Sequence, residues 1–222
     1  MDLIKTGAYL EFSEAFHPWL EIRNVIRGLG EQPKAEIQGP PLIIDLKDKK
    51  ERTIIHVRAI ELIFEQIESV NDGVSVIKQK LQSVNEVSTL PGSSLIRLDT
   101  VFIEIFAIPF HELLALMKKR FLSSNALMDA ATDICLVLDE QDGPVLKHMQ
   151  FGPMAKEQLL KQFVVFPHDD IPEVFSFQAL SYERKMDFNI ASDDFQNFLN
   201  DAVNWIDNQS KLITKFLKEG IA

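Results

Sequence analysis

The chain has a single cysteine, Cys135, among its 222 residues, so neither an intramolecular disulfide nor a cysteine-based metal motif is available to it. Cys135 lies in the apolar segment DICLVLDE, where a buried structural thiol is expected, and a lone reduced thiol fits a reducing compartment. Long hydrophobic runs are also missing: none approaches the roughly 18 consecutive apolar residues of a membrane-spanning helix. The opening MDLIKTGAYLEF lacks the basic start and following apolar stretch of a signal peptide. A cytoplasmic protein with no membrane partner is therefore expected. Positive charge is scarce, with 23 Lys and Arg against 33 Asp and Glu and a formal net charge of -10. That balance argues against a surface that tracks a phosphate backbone, so nucleic acid is not expected as a partner.

Recognisable catalytic motifs are absent as well. His111-Glu112 is followed by Ala115 where a zinc protease needs its second histidine. There is no GxSxG nucleophile elbow and no P-loop. Gly28-Leu29-Gly30 lacks the third glycine of a dinucleotide fingerprint and follows a helix-like stretch, whereas phosphate binding needs the glycines before one. No cofactor is expected.

What remains is an ordinary globular composition, 46% hydrophobic and 25% charged, which excludes disorder and allows a sizeable core. AYLEF reads as a strand and HPWLEIRNVIRGLG as a helix. LIIDLKDKKERTIIHVRA reads as two strands joined at the charged run Lys47 to Arg52, with His56 and Arg58 on one strand face. IELIFEQIESVNDG suits either a helix or a strand, and the strand is favoured for its first half. Asn71-Asp72-Gly73 then reads as a turn before an amphipathic helix, GVSVIKQKLQSVNEV.

After a break at Leu90 to Ser94, SLIRLDTVFIEIFAIP alternates as the longest strand, and Pro109 opens the helix FHELLALMKKRFL. DICLVLDE and PVLKHMQF flank a hairpin turn at Gln141-Asp142-Gly143, followed by a short helix, PMAKEQLLKQF, and a long strand, VFSFQALSYERKMDF. Ser192 caps a final helix with Asp193 and Asp194 in its first turn. At about 28 residues it would be about 42 Å long, more than the roughly 30 Å diameter of a small domain. It either lies across the whole molecule or reaches into a partner. The expected class is α+β, mostly antiparallel sheet with hairpins followed by single helices, arranged as two similar halves (1-90 and 91-222) or as one continuous domain.

FVVFPHDDIPEVFSF offers His168 and Asp170 as metal ligands, but a single short peptide rarely supplies a full set. Pro167 and Pro172 mark a polar bend, and a metal site would need distant carboxylates such as Glu104, Asp139 or Asp142. No metal is expected there. His56, Arg58, Glu104 and His148 would form an acid/base or anion-binding cluster only if their strand faces met in a cleft between the halves. Sixteen phenylalanines against two tyrosines and two tryptophans point to core packing. Phe102, Phe106, Phe175 and Phe177 are candidates for an exposed apolar groove instead.

The segments SLIRLDTVFIEIFAIPFHEL, KHMQFGP and LSYERKMDFNIASDDFQNFLNDAVNWIDNQSKLITKFLKEGI together resemble a sporadically distributed, uncharacterised bacterial protein family. The resemblance covers mainly residues 94-221. It implies a bacterial accessory protein and no catalytic residues. The function expected is a non-enzymatic protein-interaction or oligomerisation module, acting as a homo-oligomer or binding another protein through an exposed sheet edge or the long C-terminal helix. The alternatives are an enzyme or small-ligand binder with a site in a cleft between the halves, and a chaperone-like binder of unfolded segments.

Overall fold

A computed structural model of the chain describes residues 2–15, 24, 26–27, 41–46, 50–65, 67–87, 90–105, 108–121, 130–158 and 174–219. Eight strands form one antiparallel sheet: β1 (Asp2–Phe12), β2 (Leu42–Leu46), β3 (Glu51–Ile55), β4 (Ala59–Glu65), β5 (Ser93–Ile105), β6 (Leu136–Asp142), β7 (Val145–Ala155) and β8 (Val174–Phe188). Among the described residues the main helices are α1 (Val70–Val87), α2 (Phe110–Phe121) and α3 (Asp193–Lys218). This is the α+β class, with an antiparallel sheet and a long C-terminal helix. No helix among the described residues is long and apolar enough to cross a membrane.

The strand order is β2-β3-β4-β1-β5-β8-β7-β6. The first strand therefore sits at the centre, paired to β5 from Asp2 opposite Ile103 to Phe12 opposite Ser93. Residues 1-90 and 91-222 thus share one uninterrupted sheet, and the order reads alike from either end.

Strand alternation sorts the side chains of the sheet into two faces. On β5, Ile96, Leu98 and Phe102 join the main core with residues of all three helices. Arg97, Asp99, Val101 and Ile103 point the other way, and Val101 and Ile103 form a second, small apolar cluster with Ile4, Met154 and Phe177. Phe102 and Phe177 are therefore buried, one on each face, and do not line an exposed groove. Phe106 and the side chain of Phe175 lie outside the described residues.

Local chemistry explains where the helices begin. Ser69 accepts a hydrogen bond from the Asp72 backbone N–H at 3.1 Å and donates one to the Asp72 carboxylate at 2.5 Å. This reciprocal Ser-x-x-Asp cap starts α1 at Val70, so Asn71-Asp72-Gly73 forms its first turn and not a preceding loop. Gly73 lets α1 settle directly on β1, because a Cβ there would stand 2.4 Å from Thr6 Cγ2. On α3, Ser192 accepts from the Phe195 N–H, and Asp193 and Asp194 complement the helix N-terminus.

The long helix does lie across the molecule. β5 and β8, of 13 and 15 residues, extend about 43 and 50 Å at about 3.3 Å per residue. A 26-residue helix of about 39 Å fits along them without overhang. Its buried residues run from Phe195 to Leu217. The Tyr182 ring on β8 packs at a tilt against Phe198 and Trp205, and Gln178 donates to Thr214 at 2.8 Å.

Other expectations need correction. β3 ends at Ile55, and His56, Val57 and Arg58 make the tight connection to β4, closed by the His56 N–H donating to Ala59 O at 2.8 Å. Cys135 precedes β6 and is exposed, while Ile134 beside it is buried. The β6–β7 turn is Gly143-Pro144, with Gly143 at φ 57°, because the fixed negative φ of proline requires glycine at the first loop position of a II′-type hairpin. Pro153 to Ala155 continue β7 and residues 156–158 are helical, while 159–163 of the expected short helix lie outside the described residues. The expected helix after His17 falls almost wholly outside the described residues.

Candidate functional site

The four residues proposed as a cleft cluster are not brought together. Glu104 lies on the helix-covered face of β5, where Lys218 at the end of α3 reaches it at 2.7 Å. His148 stands on the opposite face, on β7. His56 and Arg58 occupy the β3–β4 turn, and four strand spacings separate β4 from β7, about 19 Å at about 4.8 Å each. His168 and Asp170 lie outside the described residues. No group of three or more His, Cys, Asp or Glu suited to a metal occurs among the described residues.

The ion pair at Glu104 has a structural role. Burial disfavours its charge, but the hydrogen bond and attraction from Lys218 favour it, and the carboxyl is held below its ordinary value of 4.5. A depressed carboxyl stabilises the fold above the unfolded value, and that contribution fades as pH falls through the lower folded value. Glu104→Gln is therefore expected to flatten the loss of stability below pH 4.5. Lys218 is 56% exposed, and solvent screening limits the cost of Lys218→Met to about 0.5–1 kcal/mol at neutral pH. Urea unfolding of both variants across the acid range checks this.

The face opposite α1, α2 and α3 carries the denser polar chemistry. Register places Asp45, Arg52, Ile63, Gly7, Asp99, Ser181, His148 and Asp139 in one row across all eight strands. The next row contains Glu61, Tyr9, Arg97, Glu183 and Leu146. Arg97 lies over the Tyr9 ring at 5.2 Å and donates to Asp99 at 2.8 Å. Burial alone would weaken its charge, but Asp99, Glu183 and Glu61 more than offset that and raise its pKa.

Two hollows flank this pair. One, of about 350 Å³, is lined by Arg97, Asp99, Asp139, Leu146, His148, Ser181 and Glu183. The other, of about 560 Å³, is lined by Tyr9, Glu11, Pro41 and residues 56–59. His56 and Arg58 thus share a hollow with each other, and His148 belongs to the other one.

Asp139, His148 and Ser181 follow one another on β6, β7 and β8, with His148 Nδ1 2.5 Å from the Asp139 carboxylate. This is the order of a hydrolytic triad, yet Ser181 makes no hydrogen bond to His148 among the described residues. β8 is laddered on both sides, to β5 and β7, so its amides are engaged and supply no oxyanion donors. The row therefore has the parts of an acid–base pair without the geometry of acyl transfer.

The second notable feature is the rim formed by β6. Among the described residues it pairs with β7 on one side only, and Val137 to Asp142 are all exposed. Val137 and Leu138 are 52% and 50% exposed, unusual for adjacent branched residues on an edge strand. The segment DICLVLDE beside its hairpin turn signalled a strand, but only the sheet order reveals an edge. Neither the comparison with protein-family models nor the search of curated proteins returns a match to the chain.

Proposed function

We propose that this protein is a non-enzymatic protein-interaction module that takes up an extended segment of another protein along β6. The observation that supports this reading is the outer edge, unpaired among the described residues, of a seven-residue strand whose apolar Val137 and Leu138 are half-exposed. An edge of that kind offers a row of backbone donors and acceptors that a further strand satisfies, with side-chain contacts on both faces for selectivity. The other surface considered, α3, spends its apolar stripe on the sheet. The segments that carry the bacterial-family resemblance include β5, β7, β8 and α3, the elements that build the half of the sheet ending at β6.

The test is selection of binders from a displayed library of random twelve-residue peptides, followed by hydrogen exchange of the protein with and without the selected peptide. Protection of the amides of Leu136–Asp142 on binding is the expected result. Protection confined to another element, or a selection without binders, would sink the reading.

A further inference from the structure

Resting on that reading, the chemistry of β6 also specifies what kind of strand it accepts. Three of its seven residues are acids, Asp139, Glu140 and Asp142, with side chains 60%, 53% and 74% exposed. Lys147 is the nearby cation, at 2.9 Å from Glu140 and 3.6 Å from Asp142. Along this rim three carboxylates thus accompany one lysine. Alternation places Leu138, Glu140 and Asp142 on the helix-side face and Val137 and Asp139 on the other, so an added strand meets carboxylates on both faces at one end and apolar groups at the other.

A second copy of β6 fits this edge poorly. Antiparallel self-pairing centred on Asp139 sets the two Asp139 carboxylates opposite each other and gathers six carboxylates around two lysines. Like charges directly opposed across a strand pair are destabilising. The same charges that guard the edge against self-pairing leave it open to a strand of opposite sign.

We propose that the strand added to β6 is a basic segment of another protein, with Lys or Arg opposite Asp139, Glu140 and Asp142 and apolar side chains opposite Val137 and Leu138. In antiparallel pairing such a segment reads basic-x-basic-basic followed by apolar residues. Its binding weakens with added salt, since these charges sit at a solvated rim.

The experiment measures binding of the full chain to a blocked synthetic peptide containing Lys-Thr-Lys-Lys-Val-Ile-Val and to its counterpart with glutamate in place of each lysine. Two further versions of the lysine peptide carry N-methyl groups on complementary sets of alternate amides. At least tenfold tighter binding of the lysine peptide is expected, with one N-methylated version losing binding and the other retaining it. The Asp139→Lys/Glu140→Lys/Asp142→Lys variant is expected to reverse the preference. Equal affinity for both peptides with the N-methyl pattern intact would overturn the basic preference and leave strand addition standing. Lysine-peptide binding that ignores both N-methyl sets would show a merely electrostatic contact and overturn the proposal. No binding by either peptide would overturn strand addition as well. Sedimentation showing a dimer lost in the triple variant would give the edge to a second copy and overturn the basic partner.

Discussion

Phe195→Ala is expected to lower stability by about 3–5 kcal/mol, the usual cost of emptying a fully buried phenylalanine site. Phe195 has no solvent exposure and lies in the first turn of α3, in the same core as Leu98, Leu180 and Tyr182 of the sheet. Its backbone is held in the first turn by the Ser192 cap, whose hydroxyl accepts from the Phe195 N–H. The cavity cannot be filled by sliding the helix, because α3 is pinned further along by Phe198 on Tyr182 and by Thr214 on Gln178. For a chain of this size the loss corresponds to roughly 6–20 °C in Tm at about 2–4 °C per kcal/mol. Leu212→Ala is the control: the residue is on the same helix but 58% exposed, and a change within about 0.5 kcal/mol is expected. Thermal and urea unfolding of the two variants side by side decide whether α3 is held by its own sheet. A large loss at Leu212 comparable to that at Phe195 would mean that the outer face of α3 is covered as well.

Gly152→Ala is expected to unseat β6. A Cβ at Gly152 would stand 2.4 Å from the Ile134 carbonyl oxygen and 3.4 Å from Cys135 Cα. Both neighbours are backbone, so no side chain can rotate away, and the chain leading into β6 must shift. Overpacking of this kind costs about 1–3 kcal/mol. Among the described strands β6 is paired to β7 alone, so the expected signature is local: faster hydrogen exchange across Leu136–Asp142 with little change in β5 or α3. The variant should also weaken peptide binding at the rim. Uniform acceleration of exchange throughout the sheet would instead place the damage in the core.

The contrast between these two positions also marks how far the sequence could be read. The faces of β5, the Ser192 cap and the stripe of α3 are local patterns with periods of two and 3.6 residues, visible without a fold. The start of α1 was equally local but hidden, since Ser69 and Asp72 form a cap across the Asn-Asp-Gly signal that favours a turn. Glu104 was legible as a strand residue and illegible as an ion-pair partner, because Lys218 is far along the chain and only tertiary packing brings it near. His56 and Arg58 continued an alternating pattern past the point where pairing with β4 ends β3. The row from Asp45 to Asp139 depends on seven pairing registers. Likewise, the exposure of β6 depends on its being last in the sheet, which alternation within one strand does not determine.

The mirror-like strand order gives the molecule two rims of matching topology and unlike chemistry. β2 holds at one end the place that β6 holds at the other. It presents LIIDL, whose sole acid, Asp45, is gripped by Arg52 at 2.5 and 2.8 Å. One rim is therefore nearly neutral and greasy, and the other is acidic. Seven strand spacings set them about 34 Å apart at about 4.8 Å each. If strands were added at both rims, they would be of different kinds and held apart by the width of the sheet, and two linked segments would gain avidity only if their linker matched that span.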